Sequence, residues 1–300
     1  MVAMNDIQAV LKSIRPPFLI LTPVCVFLGY ALAQATMPNP SPALLSLILL
    51  GALAAHISVN TFNEYLDYRS GLDLATSRTP FSGGSGALVA HPAAMRAVLA
   101  LAITSLVLTS LIGLYFTYIY GLAILAIGAV GVMIMLTYTS WINRHPWLCL
   151  LAPGVGFGPV MILGSYFVLT GELSSRAAWV SLVPFFLVNN LLLLNQYPDR
   201  RADQRVGRHH FPIAYGLQNS SRVYLGFVVA SCLVIIIGVW VGFIPVLGYV
   251  ALLPLGVALI MVPGIFKHAD QVDKLLPYLG INVGVSLLTP TLLGIALRWG

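Results

Sequence analysis

Charge is what this sequence lacks most. Only 8% of its 300 residues are Asp, Glu, Lys or Arg, and the acids number nine. Soluble domains carry about 25% charged residues, so a water-soluble globular fold is excluded for a chain that is 59% hydrophobic. Cysteine is also scarce. Cys25, Cys149 and Cys232 are far apart in apolar surroundings, which excludes a disulfide framework or a cysteine metal centre and leaves them as core residues. Apolar and polar residues do not alternate along the hydrophobic runs, which argues against a membrane β-barrel. No small-residue cleavage site is evident near the start, where Pro16-Pro17 opens the first apolar run, so no cleaved signal peptide is expected.

Long apolar runs are what the sequence has. Nine reach the roughly 20 residues that a spanning helix needs, near 18–36, 43–63, 97–117, 119–139, 147–168, 178–197, 222–241, 244–264 and 276–297. They predict an all-α multi-pass membrane protein with nine transmembrane helices in a single domain over residues 1–300. With nine spans, 13 of the 15 basic residues fall on the side of the N-terminus, and only Arg176 and Arg298 on the other. The positive-inside rule makes the first side cytoplasmic, in a cell membrane. The cations are scattered over loops beside the bilayer, so nucleic acid is not an expected partner and membrane lipid is. Residues 4–15 put Ile7, Val10, Leu11 and Ile14 on one helical face, which suits an interfacial helix. Nothing in the sequence speaks to oligomeric state.

Five of the nine acids lie in two windows, Asn63–Asp73 and Asn195–Asp203, each at the cytoplasmic end of an apolar run. Residues four apart share a helical face. Asn63 and Asp67 therefore point together, with His56 and Asn60 continuing the stripe into the membrane. Asp73 follows Gly71, past the expected helix end, and can fold back. Asn195, Asp199 and Asp203 repeat the pattern, although Pro198 should interrupt that helix. Asn63 and Asn195 are 132 residues apart, about four spans, which points to an ancient duplication. Hard oxygen donors at two facing sites suit Mg2+ bridging to the phosphates of a substrate. Arg69, Arg78, Arg144, Arg200, Arg201, Arg205 and Arg208 add donors for phosphate oxygens.

Ser82–Gly86 reads either as a source of backbone N–H groups for phosphate or as a flexible lid. His209-His210 reads as a solvated pair, and His56 as a buried polar residue hydrogen-bonded to Asn60. The aromatic Tyr138, one turn before the loop between spans 4 and 5, is able to face a cation or to join the interfacial aromatic belt.

The paired motifs resemble those of the UbiA superfamily of intramembrane prenyltransferases. Asn63-x3-Asp67-x5-Asp73 is similar to its first Asp-rich motif and Asn195-x3-Asp199-x3-Asp203 to its second, and Arg15-Pro16-Pro17-Phe18 also looks familial. Gly156–Tyr166 with Thr170-Gly171, Arg78-Thr79-Pro80 before Ser82-Gly83-Gly84, and Ala202-Asp203-x3-Gly207 resemble the dihydroxynaphthoate polyprenyltransferase branch. The resemblance implies nine helices around a central cavity under a cytoplasmic cap, with Mg2+ and a prenyl diphosphate bound there. It makes Asn63, Asp67, Asp73, Asn195, Asp199 and Asp203 metal and diphosphate ligands, with Asp67 and Asp199 catalytic. Arg78 and Arg144 become diphosphate contacts, and Tyr138 faces an allylic cation captured by an aromatic acceptor. Asn60, His56 and Arg208 join the substrate-binding set.

The chain departs from that branch at Thr139–Pro146, where a Pro-Pro-Leu-Lys-like stretch is usual. Glu64 stands where Asp is common, and His209–Pro212 differs from the usual Arg-Thr-Leu. The expected activity is prenyl transfer to an aromatic quinone precursor, with 1,4-dihydroxy-2-naphthoate first. Another acceptor and a terpene cyclisation stay open, as does a transporter, which would place its acids near the bilayer midplane rather than at helix ends.

Overall fold

The computed structural model describes residues 5–300. Among the described residues the chain is helical, without a strand. α1 (Asp6–Ser13), α2 (Pro16–Leu19) and α3 (Leu21–Gln34) lead into α4 (Pro42–Arg69). Two single-turn helices, α5 (Leu72–Ala75) and α6 (Ala87–Ala90), precede α7 (Met95–Tyr120) and α8 (Leu122–Thr137). α9 (Pro146–Val155) runs through a π-helical stretch, Gly156–Leu163, into α10 (Gly164–Thr170). α11 (Ser175–Arg205), α12 (Phe211–Trp240), α13 (Leu252–His268) and α14 (Val272–Trp299) complete the chain.

Each expected span has a helix over it. Among the described residues seven helices are long and apolar enough to cross a membrane, and eight if the N-terminal helices and α3, bent by 40°, form one broken span. The run expected at 119–139 became α8, whose 16 residues rise only about 24 Å against a hydrocarbon core of about 30 Å. Gly121, at φ 81°, makes the sharp reversal between α7 and α8.

The expected break at Pro198 did not occur. α11 is one continuous helix through Pro184 and Pro198. Each proline removes one i→i−4 bond, but α11 is the most buried of the spanning helices and packs against α9, the π-helical stretch, α12 and α14. This packing outweighs the loss of two bonds. The non-helical backbone appears instead at Gly216 in α12, at φ 80° and ψ 166°.

Asn5 and Gln8 form a capping box that starts α1. Its Ala9 is buried against Ala87, Leu88 and Val98, while Ile7 and Leu11 stay exposed, as an interfacial helix requires. Met4, the first residue of that expected segment, lies outside the described residues. α4 packs chiefly on α7, and α11 on α12. Between these two groups lies the cavity.

Candidate active site

A cavity of about 630 Å³ runs between α4, α7, α8, the π-helical stretch and α11. Ile48 and Asp67 both line it. They are 19 residues apart on one helix, so the cavity is about 28 Å deep along α4. Its walls are apolar for most of that depth, and the polar groups crowd the end where α4 and α11 finish.

Five of the six motif residues line that end: Asn63, Asp67, Asn195, Asp199 and Asp203. Arg208 ties the two windows together. One guanidinium nitrogen is ion-paired with Asp67 Oδ1, and the other donates to Asp203 Oδ1 at 2.9 Å. Burial opposes the Arg208 charge, but Asp67 and Asp203 outweigh it and raise its pKa above the ordinary value. The second Asp203 oxygen is 2.9 Å from His210 Nε2. Both oxygens of Asp203 are therefore engaged by protein. His210 is only 2% exposed, so the expectation of a solvated His209-His210 pair holds for the exposed His209 alone.

The glycine-rich loop is pinned to both motifs. Gly83 N–H donates to Asp199 Oδ2 at 2.9 Å. Glu64, 3% exposed, accepts from Ser85 N–H at 2.9 Å, Ser85 Oγ at 2.6 Å and Ala87 N–H at 3.1 Å. Glu64 thus anchors the loop to α4. Gly84 adopts φ +71°, and a Cβ there would sit 2.7 Å from Asp73 Oδ1, so only glycine brings the loop this close.

Asp73 is buried just outside the cavity lining. Burial, then Glu64 and Asp67, push its carboxyl up to about 7, with Arg78 and Arg208 acting in opposition. Arg78 is exposed and donates to the Asp73 carbonyl at 2.7 Å. Arg144 is exposed in the turn before α9. Neither arginine lines the cavity. Asn60 lines it but donates to Ile14 O at 2.9 Å, and His56 pairs with Thr22 Oγ1 at 2.8 Å rather than with Asn60.

Three wall residues, Asn143, Gln196 and Cys149, and Thr139 next to them were not among the sequence candidates. Thr139 Oγ1 donates to Asn63 Oδ1, and Asn143 Nδ2 to Thr139 O at 2.6 Å. Gln196 Nε2 donates to Cys149 Sγ at 3.4 Å. Asn143, Gln196 and Cys149 all line the cavity beside Tyr138, and Cys149 is at the same time packed in a small buried core cluster with Ile142 and Ala152, as expected. Gln196, adjacent to the motif Asn195, carried a positional signal; Cys149 carried none.

Among the described residues no three of His, Cys, Asp and Glu converge on one metal point. The donor set nonetheless fits a hard cation. Asp73 Oδ2, Asn195 Oδ1 and Asp199 Oδ1 are buried oxygens without a hydrogen-bond partner, a costly state that a cation relieves. Mg2+ is commonly held by one or two carboxylates, waters and substrate phosphate.

Residues 22–279 match the UbiA prenyltransferase family. The chain is 31% identical over 212 residues to the 1,4-dihydroxy-2-naphthoate octaprenyltransferase of Bacillus subtilis (strain 168), covering 70% of this chain and 66% of that protein, just under two thirds of its length. Its fold is that of an apo UbiA homolog from Aeropyrum pernix K1, with TM-score 0.68 and 17% identity over 93% of this chain and 97% of that one. A UbiA homolog from Archaeoglobus fulgidus, bound to DMAPP and Mg2+, matches with TM-score 0.58 and 15% identity over 96% and 98%. With two Asn/Asp windows joined at one end of an apolar cavity, and a family match over most of its length, this multi-pass membrane chain belongs to the UbiA prenyltransferase family.

Proposed function

We propose that this chain is a magnesium-dependent prenyltransferase, moving a prenyl group from a prenyl diphosphate to an aromatic quinone precursor, with 1,4-dihydroxy-2-naphthoate as the acceptor. The observation that carries this reading is the meeting of Asp67 and Asp203, from helices far apart in sequence, at the polar end of a deep apolar cavity. Such a cavity accepts a hydrocarbon tail while the diphosphate stays at the charged end. The Bacillus subtilis relative's name supports the acceptor, and the Archaeoglobus fulgidus homolog's DMAPP and Mg2+ support the donor and the metal.

In this reading Asn63, Asp67, Asp73, Asn195 and Asp199 hold the metal. Bound there, magnesium supplies charge neutralisation for the departing diphosphate. Asp203, saturated by Arg208 and His210, orients the Arg208 guanidinium toward phosphate oxygens. Glu64 fixes the Ser82–Gly86 loop over the site, and the apolar walls keep water from the allylic centre. Tyr138 presents its ring to positive charge that develops there. Arg78 and Arg144, outside the cavity lining, are assigned as diphosphate contacts at its rim.

Three further parts belong to the same reading. α8 is the ninth span, with the chain a single domain. The Ser82–Gly86 loop and the segment after α11 form a cap over the cavity end. That end faces the cytoplasm, a placement supported by the excess of basic residues on its side. A panel of aromatic acids, each incubated with protein, Mg2+ and a prenyl diphosphate, tests the acceptor. Prenylation of the dihydroxynaphthoate in preference to hydroxybenzoates is the expected result. Prenylation of a different acid, or a cyclised terpene without acceptor, refutes this assignment.

A further inference from the structure

His56 lies seven residues before Asn63 on the same face of α4, about 10 Å deeper along its axis. Its ring is held from two sides. Thr22 Oγ1 on α3 is 2.8 Å from Nδ1, and Phe157 of the π-helical stretch packs against the ring at right angles, with centroids 5.0 Å apart. Nε2, on the opposite ring edge, makes no hydrogen bond among the described residues. It is also not one of the sealed unpaired polar atoms, so it opens into the cavity that His56 lines.

Thr22 fixes which nitrogen carries the proton. Thr36, Thr61, Thr117 and Thr170 donate their hydroxyls to the carbonyl four residues back. Thr22 is fully buried and makes no such bond among the described residues. Its proton therefore goes to His56 Nδ1, and the imidazole proton resides on Nε2. The result is one oriented N–H donor in a stretch lined also by the charged Arg15 and otherwise walled by Phe18, Leu21, Ala52, Ala55, Val59 and Phe157.

We infer that His56 Nε2–H, positioned by Thr22, donates a hydrogen bond to a ring oxygen of the aromatic acceptor and so selects and orients it. The inference rests on the proposed transfer reaction. A prenyl tail offers this donor nothing, and the diphosphate belongs with the motif residues about two turns away. An oxygenated aromatic ring is the one reactant with both a flat face for Phe157 and an oxygen for Nε2–H. A buried donor is left unsatisfied by analogues lacking that oxygen, which is how such a group discriminates.

The test measures KM for each reactant in wild type and in His56→Leu, His56→Gln and Thr22→Val, beside binding of the dihydroxynaphthoate read by tryptophan fluorescence. His56→Leu is expected to raise the acceptor KM and dissociation constant about tenfold, with the prenyl diphosphate KM within twofold of wild type. His56→Gln, which retains an N–H donor, restores most of the loss, and Thr22→Val gives a smaller rise in the same direction. Should the leucine variant not fold, the glutamine and valine variants carry the comparison. Acceptor binding unchanged in these variants, or both KM values rising together, overturns the inference while leaving transfer intact. A wild-type protein that binds no aromatic acceptor overturns both.

Discussion

Asp67 and Arg208, 141 residues apart in the chain, are ion-paired at the polar end of the cavity. The same guanidinium holds Asp203 at 2.9 Å. One arginine thus neutralises a carboxylate from each motif and joins the end of α4 to the end of α11. Asp203 is 3% exposed at its side chain and Arg208 19%, so little solvent screens this network.

Arg208→Gln leaves those two carboxylates facing each other without a counterion. Removing one partner of a buried pair costs about 3–5 kcal/mol, and thermal unfolding in detergent is expected to show a lowered midpoint. Arg208→Lys does not restore it, because an ammonium cannot bond two carboxylates in fork geometry. An unchanged midpoint in both variants contradicts the bridging role.

Asp67→Asn and Asp199→Asn keep the shape of each side chain while removing a charge that the proposed metal needs. Turnover is expected to fall more than about 100-fold, with the unfolding midpoint no lower than wild type in Asp199→Asn. Activity close to wild type in both variants contradicts the metal assignment.

Seven or eight of the nine expected spans were legible because bilayer thickness dictates apolar run length, and the motif faces because i, i+4 spacing on a helix is fixed. Arg208 stood among seven arginines near the site, and its selection depends on the turn at Gly207, φ 82°, which no spacing rule encodes. In the sequence His210 reads as solvated, because nothing local reveals that the same turn folds it onto Asp203. Pro198 carried a strong local signal for a break, and tertiary packing around α11 overrode it. His56 was correctly marked as polar in a membrane span, but its partner Thr22 is 34 residues away.

Glu64→Ala removes the acceptor of three hydrogen bonds from Ser85 and Ala87. Limited proteolysis is expected to cut faster within Ser82–Gly86, and the KM for prenyl diphosphate to rise. Cleavage at the wild-type rate contradicts the anchoring of the loop by Glu64.

Asp73 gives the metal-free protein a pH signature. Its carboxyl is raised from 3.8 to about 7 in the folded state, so between those values the folded chain binds more protons than the unfolded one. Its contribution to stability therefore falls as pH rises through that window. Unfolding midpoints of chelator-treated protein from pH 5 to 8 are expected to decline. Asp73→Asn removes this contribution, and an equal decline in that variant contradicts the assignment.

The most direct measurement is a mass spectrum of lipid extracted after incubating the protein with Mg2+, a prenyl diphosphate series and 1,4-dihydroxy-2-naphthoate. The expected result is a prenylated, decarboxylated naphthoquinol that disappears with chelator and in Asp199→Asn. Unconsumed prenyl diphosphate at every chain length, in the presence of metal and acceptor, contradicts prenyl transfer as the function of this site.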